Sequence, residues 1–122
     1  MATALDIMKG GCSAGQAAGI NGQTASSVSA AGTTQATATQ LYAEDNEVST
    51  VASGAGVVMN ALIQPGEMQT VFNVGANPLK VYPPSGLGIN ALSANAAITL
   101  AVNTGIMLKC VSTTRVFGVL SA

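Results

Sequence analysis

The sequence predicts an all-β protein: a small antiparallel β-sandwich, jelly roll or barrel-like domain with a flexible N-terminal arm. Three observations lead there. From residue 35 onward, short apolar segments of strand length recur between breaks rich in Gly, Asn, Pro and Ser, which suit tight bends. Several of these segments alternate with period two, the repeat of a strand, rather than with the 3.6-residue repeat of a helix. Residues 9–34 are instead rich in Gly, Ala, Ser and Thr, with no aromatic residue and no sustained periodicity, so they bury little apolar surface by themselves.

The division that follows is an extended arm over residues 1–34 and a compact β domain over 35–122. Within the arm, residues 3–9 could form a short amphipathic helix with Leu5 and Met8 three apart, ended at once by Gly10 and Gly11. In the domain, residues 37–42 and 47–51 read as a pair of strands around the acidic turn Glu44-Asp45-Asn46, and 56–60 as a further strand after Ser53 and Gly54. Pro65-Gly66 makes a turn into a strand over 68–74. That strand sets Met68, Thr70, Phe72 and Val74 on one face and Gln69, Val71 and Asn73 on the other, with Phe72 expected in the core.

Residues 79–82 form the next strand, stopped by Pro83 and Pro84, which donate no backbone hydrogen bond and therefore belong at a sheet edge or end. Ser85-Gly86-Leu87-Gly88 turns the chain. Strands over 97–102, 106–111 and 115–120 complete the set, with Cys110 sharing an inward face with Ile106 and Leu108. About eight or nine strands at ~8–12-residue spacing suit a sandwich, jelly roll or small barrel. No fixed period holds through three copies, so a single domain is preferred over a solenoid.

Composition narrows the function. The chain carries 4 Lys and Arg against 5 Asp and Glu, only 7% charged residues, and no Trp. Its mean hydropathy is +0.46. A free soluble monomer usually carries about a quarter of its residues as charges, so a surface this neutral and apolar invites burial by a partner. Residues 10–43 and 81–108 are uncharged, but Gly, Ser, Thr, Asn or Pro interrupt both, and neither holds the ~18 continuous apolar residues of a membrane span. The N-terminus does not read as a secretory signal. The two cysteines, Cys12 and Cys110, are expected to be reduced and buried.

Catalytic constellations are lacking. There is no histidine, which removes the usual general base, the Ser-His-Asp arrangement and the commonest metal ligand. Two distant cysteines make no zinc knuckle. The acidic cluster Glu44-Asp45-Asn46-Glu47 lacks the spacing of a calcium loop and reads as a solvated turn. Ser85-Gly86-Leu87-Gly88 lacks the Lys-Ser/Thr of a phosphate loop. Four scattered cations make no phosphate-tracking surface, so nucleic acid is not an expected partner. No cofactor and no metal site are expected, and an enzyme is disfavoured.

Two phrases carry a resemblance. Residues 73–86 read NVGANPLKVYPPSG and residues 89–100 read INALSANAAITL. They fit the patterns N-x-G-A-N-x-L-x-V-Y-P-P-S-G and I-N-x-L-x-A-N-A-A-x-x-L, and with them residues 33–122 resemble small bacteriophage virion proteins, chiefly head decoration (cement) proteins. The resemblance implies a compact β domain, made in the host cytoplasm, whose homotrimers bind the major capsid protein at three-fold and quasi-three-fold junctions on the outer shell surface. The alternative within the same setting is a tail or head fibre domain or a host-surface glycan-binding adhesion module, for which two Tyr and no Trp are poor equipment.

Candidate contact residues for a capsid or subunit interface are Leu5, Ile7, Met8 and Ile20 in the arm, and Tyr42, Tyr82, Pro83, Pro84, Leu87 and Arg115 in the domain. Tyr82 with its two prolines is the feature read as most adhesive, because tyrosine offers a large rigid contact area; a tyrosine capping the core at a sheet end is the competing reading. Arg115 could pair with an acid across an interface or stand as a lone surface charge.

Overall fold

The computed structural model describes residues 23–121. These residues are all-β: β1 (Thr24–Ser29), β2 (Thr39–Gln40), β3 (Asp45–Thr50), β4 (Gly56–Val58), β5 (Met68–Asn73), β6 (Leu79–Tyr82), β7 (Gly88–Ile89), β8 (Ile98–Leu100), β9 (Thr104–Cys110) and β10 (Arg115–Leu120). The expected short helix, and Leu5, Ile7, Met8, Cys12 and Ile20, lie outside the described residues. From Gln23 onward the segment assigned to the arm is part of the sheet system, because β1 pairs with β3.

Two mixed sheets face each other. One has six strands in the order β1-β3-β5-β9-β10-β7, the other four in the order β2-β4-β6-β8. Through β6 the chain alternates between them, and every pairing so made is parallel: β1 with β3, β3 with β5, β2 with β4, and β4 with β6. This coiling is β-solenoid-like rather than the antiparallel sandwich, jelly roll or barrel that the strand spacing suggested. The steps between paired residues are uneven: Thr24, Asp45 and Thr70 lie 21 and 25 residues apart in one sheet, and Thr39, Val57 and Val81 lie 18 and 24 apart in the other. A coil that varies so much leaves no fixed period in the sequence, which is why a repeat search misses it.

The same topology corrects the expected first hairpin. The segments on either side of Glu44-Asp45-Asn46 contribute β2 and β3 to different sheets and do not pair. After β6 the direction changes. β8 runs antiparallel to β6, β9 antiparallel to β5, and β10 antiparallel to β9, while β7 pairs parallel with β10 at the far edge. Asparagine makes several of these reversals possible: Asn90, Asn95 and Asn103 all have positive φ, a conformation asparagine tolerates better than most side-chain-bearing residues.

The core lies between the sheets. Val48, Val71, Ile89, Ile106, Leu108 and Val116 from the six-stranded sheet meet Val57, Leu79, Val81 and Leu100 from the other, with Leu41 and Met59 beside them. Burying each such aliphatic side chain contributes about 1.5–3 kcal/mol. Gly56 permits a close approach within this core, because a Cβ there would sit 2.8 Å from the Tyr82 ring and 3.0 Å from the Lys80 carbonyl oxygen. Cys110 is a free, buried thiol on the inward face of β9.

The decisive register is that of β5. Its two faces divide as the sequence implies, but Gln69, Val71 and Asn73 point inward while Met68 and Phe72 point out, so the expectation that Phe72 is core is wrong. Two amides account for this. Gln69 Nε2 donates to Ala43 O (2.9 Å) and its Oε1 accepts from Asn60 N (2.9 Å). Asn73 Nδ2 donates to Asn77 O (2.9 Å) and Leu100 O (3.0 Å), and its Oδ1 accepts from Gly75 N (3.0 Å). Each amide thus satisfies backbone groups at loops and at the opposite sheet. A flipped β5 would strand those groups and expose Val71.

Replacing Asn73 by Leu, although more apolar, is therefore expected to destabilise the protein by about 2–3 kcal/mol by orphaning Gly75 N, Asn77 O and Leu100 O. Chemical denaturation of the variant checks this.

Candidate functional site

The inversion of β5 creates the most prominent surface of the molecule. On the outer face of the six-stranded sheet, the register sets Asp45, Thr70, Met107 and Val119 in one row across β3, β5, β9 and β10. Glu47, Phe72 and Gly105 form a second row, and Met68, Lys109 and Phe117 a third. Met68, Phe72, Met107, Phe117 and Val119 are all exposed; Phe72 is 45% and Val119 71% accessible. Neighbouring strands lie ~4.8 Å apart, so these side chains make one contiguous apolar area.

The area is notched rather than flat. Thr70, Phe72, Gly105, Met107, Val119 and Leu120 line a shallow depression of about 320 Å³. Gly105 opens it: a Cβ there would lie 2.5 Å from Phe72 Cδ1, so the phenyl ring rests across a position where only hydrogen fits. Charge is sparse on this face. Asp45 and Glu47 stand on the β3 side, and Lys109 stands on β9 between Met68 and Phe117.

A second, more polar recess lies where loops join the ends of the strands. It has a volume of about 270 Å³ and is lined by Tyr42, Ala43, Glu44, Asn60, Ile63, Glu67, Met68 and Gln69. Tyr42 is 78% exposed at its rim. Glu67 Oε1 accepts a hydrogen bond from Gln64 N at 2.7 Å and so shapes the turn rather than pointing free.

The other candidates named from sequence take structural places. Tyr82 is only 8% exposed, and Pro83 and Pro84 are buried with it. This corrects the reading of that trio as the adhesive feature: the tyrosine caps the core, its hydroxyl donating to Thr33 O at 3.0 Å. Gln35 Nε2 donates to Pro83 O at 2.8 Å and closes the same corner. Leu87 packs half-buried against the core. Arg115 is also engaged internally, its Nη1 donating to Asn90 O (2.9 Å) and Leu92 O (2.8 Å), which fastens the segment after β7 to β10. Of the candidates among the described residues, Tyr42 alone remains strongly exposed.

Sequence reasoning missed Met68, Phe72, Met107, Phe117 and Val119 as surface residues. The signal was present in β9 and β10. Ile106, Leu108 and Val116 supply an inward apolar face, yet Met107, Phe117 and Val119 at the intervening positions are apolar as well. A strand that is apolar at inward and intervening positions alike must carry apolar side chains on its outer face as well.

Among the described residues no group of His, Cys, Asp and Glu could hold a metal ion, and no helix is long and apolar enough to cross a membrane. Comparison with protein-family models, curated proteins and solved structures found no match.

The two tyrosines should separate in stability measurements. Tyr82→Phe, which removes the hydroxyl from Thr33 O, is expected to cost about 1 kcal/mol, and Tyr42→Ala less than about 0.5 kcal/mol, as read by thermal melts of the two variants.

Proposed function

We propose that this chain is a non-enzymatic structural protein of a bacteriophage virion, a decoration or cement protein that binds the outer surface of the capsid shell as a homo-oligomer, in the resembled family a trimer, and stabilises it. The observation that carries the structural part of this reading is the contiguous apolar outer face of the six-stranded sheet, on a chain with so few charges. Exposed apolar patches of this kind mark protein–protein contact, and the lack of histidine fits a protein that acts by binding. The phage setting rests on the resemblance of residues 73–86 and 89–100 to decoration proteins.

The mechanism is stoichiometric binding. A protein that binds the mature shell but not its disrupted form stabilises the shell by RT ln(1 + [L]/Kd), so free protein at ~1,000 times Kd contributes about 4 kcal/mol per site. Repeated over every site of a shell, this opposes the pressure of the packaged genome without any chemical step.

Purified protein is expected to run in light scattering at three times the 12.0 kDa chain mass, and to co-sediment saturably with expanded, undecorated shells while raising their disruption temperature. A stable monomer that ignores shells overturns the reading.

A further inference from the structure

The outer face of the six-stranded sheet has a charge layout that selects its occupant. Its centre is apolar, its β3 side carries only acids, Asp45 and Glu47, and its cations lie on the opposite side: Lys109 projects from β9, while Arg115, on the same face of β10 as Phe117 and Val119, is held by the Asn90 and Leu92 carbonyls. Within the chain these charges do not answer one another across the strands. The register places Lys109 beside Met68 and Phe117, Asp45 beside Thr24 and Thr70, and Glu47 beside Phe72.

A uniformly basic partner surface would satisfy Asp45 and Glu47 but oppose Lys109, and an acidic one would do the reverse. A wholly apolar partner would strip water from all three. The surface that offers an acid where this face has a base, and a base where it has acids, around a matching apolar centre, is the same face on another copy.

We infer that copies of this chain meet through the outer face of the six-stranded sheet, the β3 side of one copy's face lying against the β9–β10 side of another's. In this arrangement Asp45 and Glu47 of one copy approach Lys109 of the next. Facing sheets pack ~10 Å apart, a distance that Phe72, Met107 and Val119 span by interdigitating. The depression beside the Phe72 ring, between Thr70, Met107 and Val119, receives an apolar side chain from the facing copy. Because one side of the face meets the other side of the next copy's face, the contact is head-to-tail, and it closes into a finite ring when the rotation between copies brings the third back to the first. The inference rests on the homo-oligomeric part of the proposed function; shell binding enters neither its argument nor its test.

The test is the mass of the free protein by light scattering at fixed concentration and low salt, with circular dichroism to verify that each variant is folded. The wild type is expected to be oligomeric. Val119→Lys, at an exposed position outside the core, is expected to shift the mass to that of a single chain. Lys109→Glu alone, or Asp45→Lys with Glu47→Lys, is expected to weaken association several-fold, and the three substitutions together to restore it, because reversing both partners of the contact preserves the complementarity. A monomeric wild type, variants that keep the wild-type mass, or a triple variant no better than the single reversals each overturn the inference. A face covered by a different protein or by residues 1–22 of its own chain gives the first of these results, or the second where copies associate elsewhere. If Val119→Lys does not fold, the charge reversals decide alone.

Discussion

The architecture depends on one constraint: two buried amides on β5 must be hydrogen-bonded, and they can be only if that strand presents its polar residues inward. Gln69 joins the Ala43 and Asn60 backbone, and Asn73 joins Gly75, Asn77 and Leu100, so one strand of the larger sheet is tied to loops on both sides of it and to β8 of the smaller sheet. An unpaired buried amide costs more than a paired one contributes. The strand therefore gives up core space that Phe72 could have filled in order to keep these groups satisfied. In return the register of the central strand is fixed, since a one-residue slip would exchange its two faces.

Much else follows from that orientation. With Val71 as its one aliphatic residue in the core, β5 leaves core volume to the short strands of the other sheet and to Leu41 and Met59, and the core cluster is built of Val, Leu, Ile, Ala and Met, without a Phe. The side chains of Met68 and Phe72 are turned outward, where Met107 of β9 and Phe117 of β10 extend them into a continuous surface. The low charge of the chain and its apolar outer face are thus two descriptions of one property. Apolar side chains are present on both faces of the larger sheet, one face in the core and the other at the surface.

Legibility in the sequence followed the range of the interaction responsible. Local rules found most of the strands: β6 and β10 coincide with the segments read from sequence, and β8 and β9 differ from them only near their ends. The turn at Gly66, with its positive φ, and the asparagine turns were also local. Non-local pairings were hidden. Nothing within residues 37–51 says that β2 and β3 enter different sheets, because the partners that claim them, β4 for the one and β1 and β5 for the other, lie elsewhere in the chain. The role of Tyr82 was lost in the same way: its hydroxyl partner, Thr33, belongs to a stretch that composition assigned to the arm. Phe72 misled because hydrophobicity alone ranks it above Gln69 and Asn73, whereas the outcome turned on whether those amides could find partners.

The most direct measurement is the set of nuclear Overhauser contacts made by the Phe72 ring in solution. The account predicts contacts to Gly105 and Met107 on the outer face of the six-stranded sheet, and none to Val57, Val81 or Leu100 across the core. Contacts from the ring to those residues of the four-stranded sheet would mean that β5 presents its other face inward. The amide constraint, and the apolar outer face that depends on it, would then be contradicted together.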